Sequence, residues 1–236
     1  MHNTLTIAGR QFRSYFNGPV AYIVLSLVMF VLGFFFWKTF FLFGRATARE
    51  MFTYLSMILT FAVPALTMGL LAEEKRTGTI ELLITMPVRD AEVVVGKFLG
   101  VLGLFGVLLL LTLPYPICIS QLGNPDPGPV AAGYFGILLE GAALLAIGLM
   151  VSSWTDNQLV ALFVTLAITT TFFLLDKVLQ LLPVSAAAVL EWLSFDYHVN
   201  SMTRGVIDLR DVVFFVSITG FSLALAFRAL ESRRWR

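Results

Sequence analysis

The chain has 236 residues, of which 58% are hydrophobic and only 13% charged, with a mean hydropathy of +0.87. A soluble domain carries about a quarter charged residues, so these figures exclude a disordered chain and argue for a polytopic, all-α membrane protein. The formal charge of +1 points to no nucleic-acid partner. The length suits one membrane domain over 1–236, with no room for a nucleotide-binding domain, and the lone Cys118 allows no intrachain disulfide.

In chain order, residues 3–16 come first. Leu5, Ala8, Phe12, Tyr15 and Phe16 recur at helical spacing, while Asn3, Arg10, Arg13 and Ser14 lie elsewhere. That pattern predicts an amphipathic helix lying in the membrane surface, turned into the first span by Gly18-Pro19. The run that follows is longer than a signal-peptide core and lacks a small-residue cleavage site, so it reads as a span and not as a cleaved leader. Uncharged runs of about 20 residues cross the hydrocarbon as helices. Six are expected, at about 19–43, 51–72, 91–121, 130–153, 157–180 and 211–230, with Pro64 as a kink in the second. With the first flank inside, ten Lys and Arg fall on the cytoplasmic side and six outside. The bias and the even helix count predict that both termini are cytoplasmic.

Between spans two and three, a hydroxyl residue at Thr77 or Thr79 and the breaker Pro87 bracket a short helix over about 77–85. Ile80, Leu83 and Ile84 share one of its faces. A solvated connector and a docking helix for a cytosolic partner both fit. Asp90 is expected to cap the third span, with Glu92 in its first turn. Gly100, Gly103 and Gly106 in span three, and Gly141, Ala142, Ala146, Gly148 and Ser152 in span four, suit close helix packing. Glu140 interrupts span four. A carboxylate at that depth lines a path or pairs across a dimer, unless the span starts late enough to leave it interfacial. Thr169, Thr170 and Thr171 can bond to their own helix. Residues 181–205 read as an outer re-entrant or interfacial segment, with Trp192, Phe195 and Tyr197 in the belt.

No catalytic constellation stands out. There is no G-x-x-x-x-G-K-[ST], no H-E-x-x-H and no G-x-S-x-G, and the only histidines are His2 and His198. No metal site is expected. Glu73-Glu74 could suggest a glutamate-type intramembrane protease, but Gly78 stands where an Arg is needed.

Four stretches carry a resemblance: EEKRTGTIELLITMPVRDAEVVVGKFLG at 73–100, LGNPDPG…GYFG at 122–136, SSWTDNQLVA at 152–161 and HVNSMTRGVIDLRDVVFF at 198–215. In these segments and their order the chain resembles ABC-2 type transporter permeases, and is similar to their gliding-motility-associated group. The resemblance implies six transmembrane helices of the ABC-2 exporter type, an N-terminal elbow helix and a cytoplasmic coupling helix that docks on an ATPase subunit. The coupling residues would be Glu73, Glu74, Lys75, Arg76, Gly78, Thr79, Glu81 and Leu82. A second ATPase contact would be Thr155, Asp156, Asn157 and Gln158. Glu140 would belong to a substrate path, and the outer motif would comprise His198, Arg204, Gly205, Asp208, Arg210 and Asp211.

On this reading the chain binds no cofactor; ATP and Mg sit on the ATPase, present in two copies. The permease pairs with itself or a related chain in the bacterial inner membrane, with room for an auxiliary periplasmic or membrane subunit. A scaffold for an envelope or motility machine, using the same ATPase without moving solute, is the alternative.

Overall fold

The computed structural model describes residues 2–43, 48–79, 89–122, 126–179 and 191–232. Among these residues there are ten helices and no strands. They are α1 (His2–Asn17), α2 (Val20–Phe43), α3 (Arg49–Thr67), α4 (Ala72–Arg76), α5 (Asp90–Thr112), α6 (Pro114–Leu122), α7 (Pro127–Trp154), α8 (Gln158–Leu179), α9 (Phe195–Thr203) and α10 (Leu209–Glu231). Six stretches are long and apolar enough to cross a membrane: Val20–Thr39, Arg49–Arg76, Asp90–Gln121, Pro127–Trp154, Gln158–Leu175 and Leu209–Glu231.

The bundle is built around α7. It packs against α3, α5, α8, α9 and α10, and its glycines explain how so many neighbours reach one helix. A Cβ on Gly133 would lie 2.3 Å from Phe52 of α3, and one on Gly141 would lie 2.2 Å from Phe105 of α5. Gly136 and Gly148 seat Met202 and Thr67 in the same manner. Each glycine is a hole that receives a neighbour's side chain, the close approach that small residues permit between spans. By contrast α2, α8 and α10 sit at the margin. The apolar windows of α8 and α10 are each only 17% buried, against 78% for α7. Their outward faces, such as Phe30, Phe34 and Phe41 on α2, are exposed apolar surface.

The N-terminal segment forms the helix its spacing predicts, with one difference in how it is housed. α1 runs alongside the first turns of α5 and in register with them. Asn3 Nδ2 donates to Glu92 Oε2 at 3.5 Å, and Ile7, Gln11 and Phe12 fill the places that Cβ atoms on Gly96, Gly100 and Gly103 would need. The helix therefore has a helical neighbour on one flank, while Leu5 stays exposed. Of the glycine repeat in span three, Gly100 and Gly103 join Gly96 as the seat of α1, while a Cβ on Gly106 would meet nothing within 4 Å.

Two other local expectations shift. Asp90 is the first residue of α5, not its cap. Arg89 takes the cap position, because Glu92 Oε2 reaches back to accept the Arg89 N–H at 3.1 Å. The third span is interrupted at Leu113, where Pro114 opens α6.

Pro64 has a more consequential effect. Lacking an N–H, it leaves the Thr60 carbonyl without its helical partner. Thr169 Oγ1 of α8 donates to that carbonyl at 3.0 Å. The helix carries on to Thr67 and breaks over 68–71, four residues past the proline, before α4 begins. Thr169→Val is expected to cost about 1 kcal/mol in the wild-type background. It should cost much less beside Pro64→Ala, which restores the backbone donor. Thermal unfolding in detergent of the two single variants and the double variant measures this coupling.

Candidate functional site

The break after Thr67 builds one end of the bundle. Ser152, near the C-terminus of α7, uses its hydroxyl fully: Oγ accepts from Leu71 N–H and Ala72 N–H, both at 3.1 Å, and donates to the Met68 carbonyl at 3.1 Å. Lys75 is buried; its ammonium donates to the Ser153 carbonyl and lies 3.9 Å from Asp156. Lys97 of α5 is buried from the other side. Its Nζ pairs with Glu74 Oε1 at 2.8 Å and donates to the Leu70 carbonyl at 2.6 Å and to Gln11 Oε1 at 3.4 Å.

α4 ends in a turn that Gly78 completes with a φ of +72°, a conformation that favours glycine. Thr77 and Thr79 donate to the Glu73 and Glu74 carbonyls at 2.9 and 3.3 Å. Beside this turn runs the 155–158 segment. Asn157 Oδ1 accepts the Leu159 N–H at 2.9 Å and starts α8. Glu73 Oε2 and Gln158 Nε2 converge on Gly69, 3.2 and 3.6 Å from where its Cβ would be. The two stretches expected to meet an ATPase thus form one surface. On it Glu73, Arg76, Thr77, Gly78, Thr79, Asp156 and Asn157 are exposed, Thr155 is half-buried, and Lys75 is turned inward. Glu81 and Leu82, and with them most of the expected helix at 77–85, lie outside the described residues.

Glu140 sits in the middle of the bundle, buried between α7 and α3. Ser56 Oγ donates to its Oε1 at 2.5 Å. Its Oε2 has no hydrogen-bond partner among the described residues, nor does the buried Thr165 hydroxyl. Glu140 lies midway along the apolar stretch Pro127–Trp154.

The outer-motif residues gather at the opposite end. His198 Nδ1 lies 2.6 Å from Asp211 Oδ1, and Nε2 lies 3.0 Å from the Trp192 carbonyl. The ring stacks on Phe214 with centroids 4.0 Å apart. Arg210 lies over the Trp192 ring at 4.6 Å. Asp208 caps α10 by accepting the Arg210 N–H at 3.0 Å, and Gly205, with φ +90°, turns the chain against Pro129. Arg204 is exposed. These contacts tie α9 to α10. Of the re-entrant segment expected over 181–205, residues 181–190 lie outside the described residues. Among the described residues, no group of three His, Cys, Asp or Glu side chains could hold a metal ion.

Residues 38–195 match the family described as "ABC-2 family transporter protein". The chain belongs to this ABC-2 family. Its six apolar helices and this family make it a multi-pass membrane protein. It is also similar to the probable multidrug ABC transporter permease YbhR of Escherichia coli strain K12, at 29% identity over 104 residues. The O157:H7 counterpart matches to the same degree. The match covers 44% of this chain, which spans 28% of the length of these relatives.

Within this ABC-2 domain, sequence reading singles out the charged residues of 73–76 and misses what holds them. Lys97 counts there only as a flanking positive charge, and Ser152 only as a small packing residue. A lone Lys two turns inside an apolar helix, in the run GKFLG, is the signal that was available for the first; nothing local marks the second. Ser152→Ala removes two acceptor contacts from the start of α4. It is expected to cost roughly 1–2 kcal/mol locally, read as about 5–30-fold faster amide exchange over Leu71–Arg76. Exchange in α10 should be unchanged.

Proposed function

We propose that this chain is the membrane half of an exporter powered by a separate ATPase, with α4 and the exposed turn after it as the coupling surface. The observation that carries the reading is the construction of α4. Its first N–H groups, its lysine and its Glu74 are tied to α7 and α5, while Glu73, Arg76, Thr77, Gly78 and Thr79 remain exposed. A freely solvated connector would need none of those buried ties. A lever that passes a partner's movement into the spans needs all of them.

On this reading ATP and Mg are bound by the partner, two copies of which serve a pair of permeases, either identical or related. This chain performs no covalent chemistry. The surface of α4 and 155–158 faces the cytoplasm, as do both termini, and the host membrane is the bacterial inner membrane. Asp156, Asn157 and Gln158 lie beside α4 and supply the second contact. Glu140, held by Ser56 at the centre of the bundle, is the group that a translocated molecule meets as the spans part. The apolar interior suits an amphiphile or a polymer, and the name of the similar multidrug permease supports trying amphiphilic solutes first. Within the family, the segments at 73–100 and 198–215 support a place near the gliding-motility-associated group.

The test is purification of the tagged chain in mild detergent, with its companions identified by mass spectrometry. An ATPase carrying G-x-x-x-x-G-K-[ST] is expected to co-purify. It should be lost when Arg76→Glu and Glu81→Arg are combined, with the yield of the membrane chain unchanged. A chain that runs alone, even after chemical crosslinking, overturns the reading.

A further inference from the structure

Lys97 is an expensive residue for its place. Its side chain is 3% exposed, and a buried ammonium is strongly penalised unless its donors are met. All three donors are met, each by a different segment: Glu74 on α4, the Leu70 carbonyl in the break and Gln11 on α1. Lys97 itself belongs to α5. Arg10 of α1 and Glu73 of α4 are near enough to act on it electrostatically. An apolar residue would fill the same space without the penalty and would join none of these segments.

The flanking glycines make the link stiff. Cβ atoms on Gly96 and Gly100 would meet Ile7 at 2.8 Å and Gln11 at 2.6 Å, and each would come within 3.0 Å of an α1 carbonyl oxygen. α1 therefore lies backbone to backbone on α5 where Lys97 projects. From α1 the chain passes through Gly18-Pro19 directly into α2. The apolar window of α2 is only 28% buried; besides α1 it packs on α3, where Phe35 stacks on Tyr54 and Thr39 bonds to the Tyr54 hydroxyl.

We propose that Lys97 is a positioning residue that makes α1 move with α4, so that displacement of the coupling segment reaches span one through the elbow helix as well as through spans two and four. The inference rests on the ATPase-coupled reading above. α4, α5 and α1 form one mechanical unit at this end, and the ion pair with Glu74 is the pin that closes it.

The experiment uses the complete permease with its co-purified ATPase in lipid nanodiscs, on a Cys118→Ser background. Spin labels are placed in pairs. Ser14→Cys with Thr77→Cys, both exposed, spans α1 and the turn after α4; Thr77→Cys with Gln121→Cys spans the bundle. Trapping with ATP and vanadate is expected to shift the Thr77–Gln121 distance and leave the Ser14–Thr77 distance unchanged. In Lys97→Met, and independently in Glu74→Gln, trapping should shift Ser14–Thr77 by about half a helical pitch, ~3 Å. Lys97→Arg should restore the fixed distance. If Lys97→Met does not assemble, Glu74→Gln alone decides.

A Ser14–Thr77 distance that stays fixed in the variants while Thr77–Gln121 still responds overturns the role of Lys97 and leaves the coupling reading standing. A Thr77–Gln121 distance that ignores ATP and vanadate in the unmutated complex overturns the coupling reading, and this inference with it.

Discussion

A helix that breaks inside an apolar bundle must find partners for the backbone groups it releases, because neither lipid nor apolar side chains can supply them. In this chain that constraint falls on the second span, and the surrounding structure answers it group by group. The Thr60 carbonyl, orphaned by Pro64, takes the hydroxyl of Thr169. The Leu66 carbonyl takes the hydroxyl of Tyr15 at 2.9 Å. The Met68 carbonyl and the Leu71 and Ala72 N–H groups share Ser152, and the Leu70 carbonyl takes Lys97. The partners come from α8, α1, α7 and α5. The break is thus also the joint at which most of the bundle is fastened together.

This explains why a five-residue helix can matter. α4 is far too short to be stable by itself. It is held by side chains rooted in long spans, and these place its exposed residues at a fixed position relative to α5 and α7. Burial of Tyr15 in the same joint raises the pKa of its hydroxyl further above neutrality, and it donates to the Leu66 carbonyl. At the other end, His198, Asp211 and the Trp192 carbonyl tie α9 to α10. Between the two ends α7 serves as the common wall, its glycines taking side chains from α3, α5 and α9.

Much of the architecture is legible in the sequence because the membrane makes composition speak. Six apolar runs become six long helices, and the spacing of Leu5, Ala8, Phe12, Tyr15 and Phe16 marks α1. The glycine repeats read as packing devices, though not what they pack: Gly100 receives Gln11 and Gly141 receives Phe105, partners far away in sequence. The joint itself was hidden for the same reason. Pro64 is visible as a kink, but the break falls at 68–71 because Ser152 and Lys97 are there to satisfy it, and a local window contains neither. Thr169 can in principle bond to its own helix, and it does reach Leu166 at 3.2 Å. That it also repairs α3 is a fact of tertiary structure. Charge marks residues 73–76 as a group but not their division of labour. Lys75 and Glu74 turn inward to hold the joint, while Glu73 and Arg76 face out.

The central claim is that the end of the bundle built on this joint meets an ATPase. Site-specific photo-crosslinking in cells tests it most directly, with a benzophenone amino acid placed singly at Thr77, at Asn157 and, at the opposite end, at Arg204. The same Walker-A-bearing ATPase is expected to be captured from Thr77 and from Asn157, and none from Arg204. No ATPase adduct at the first two positions, or an equal adduct at Arg204, would contradict it.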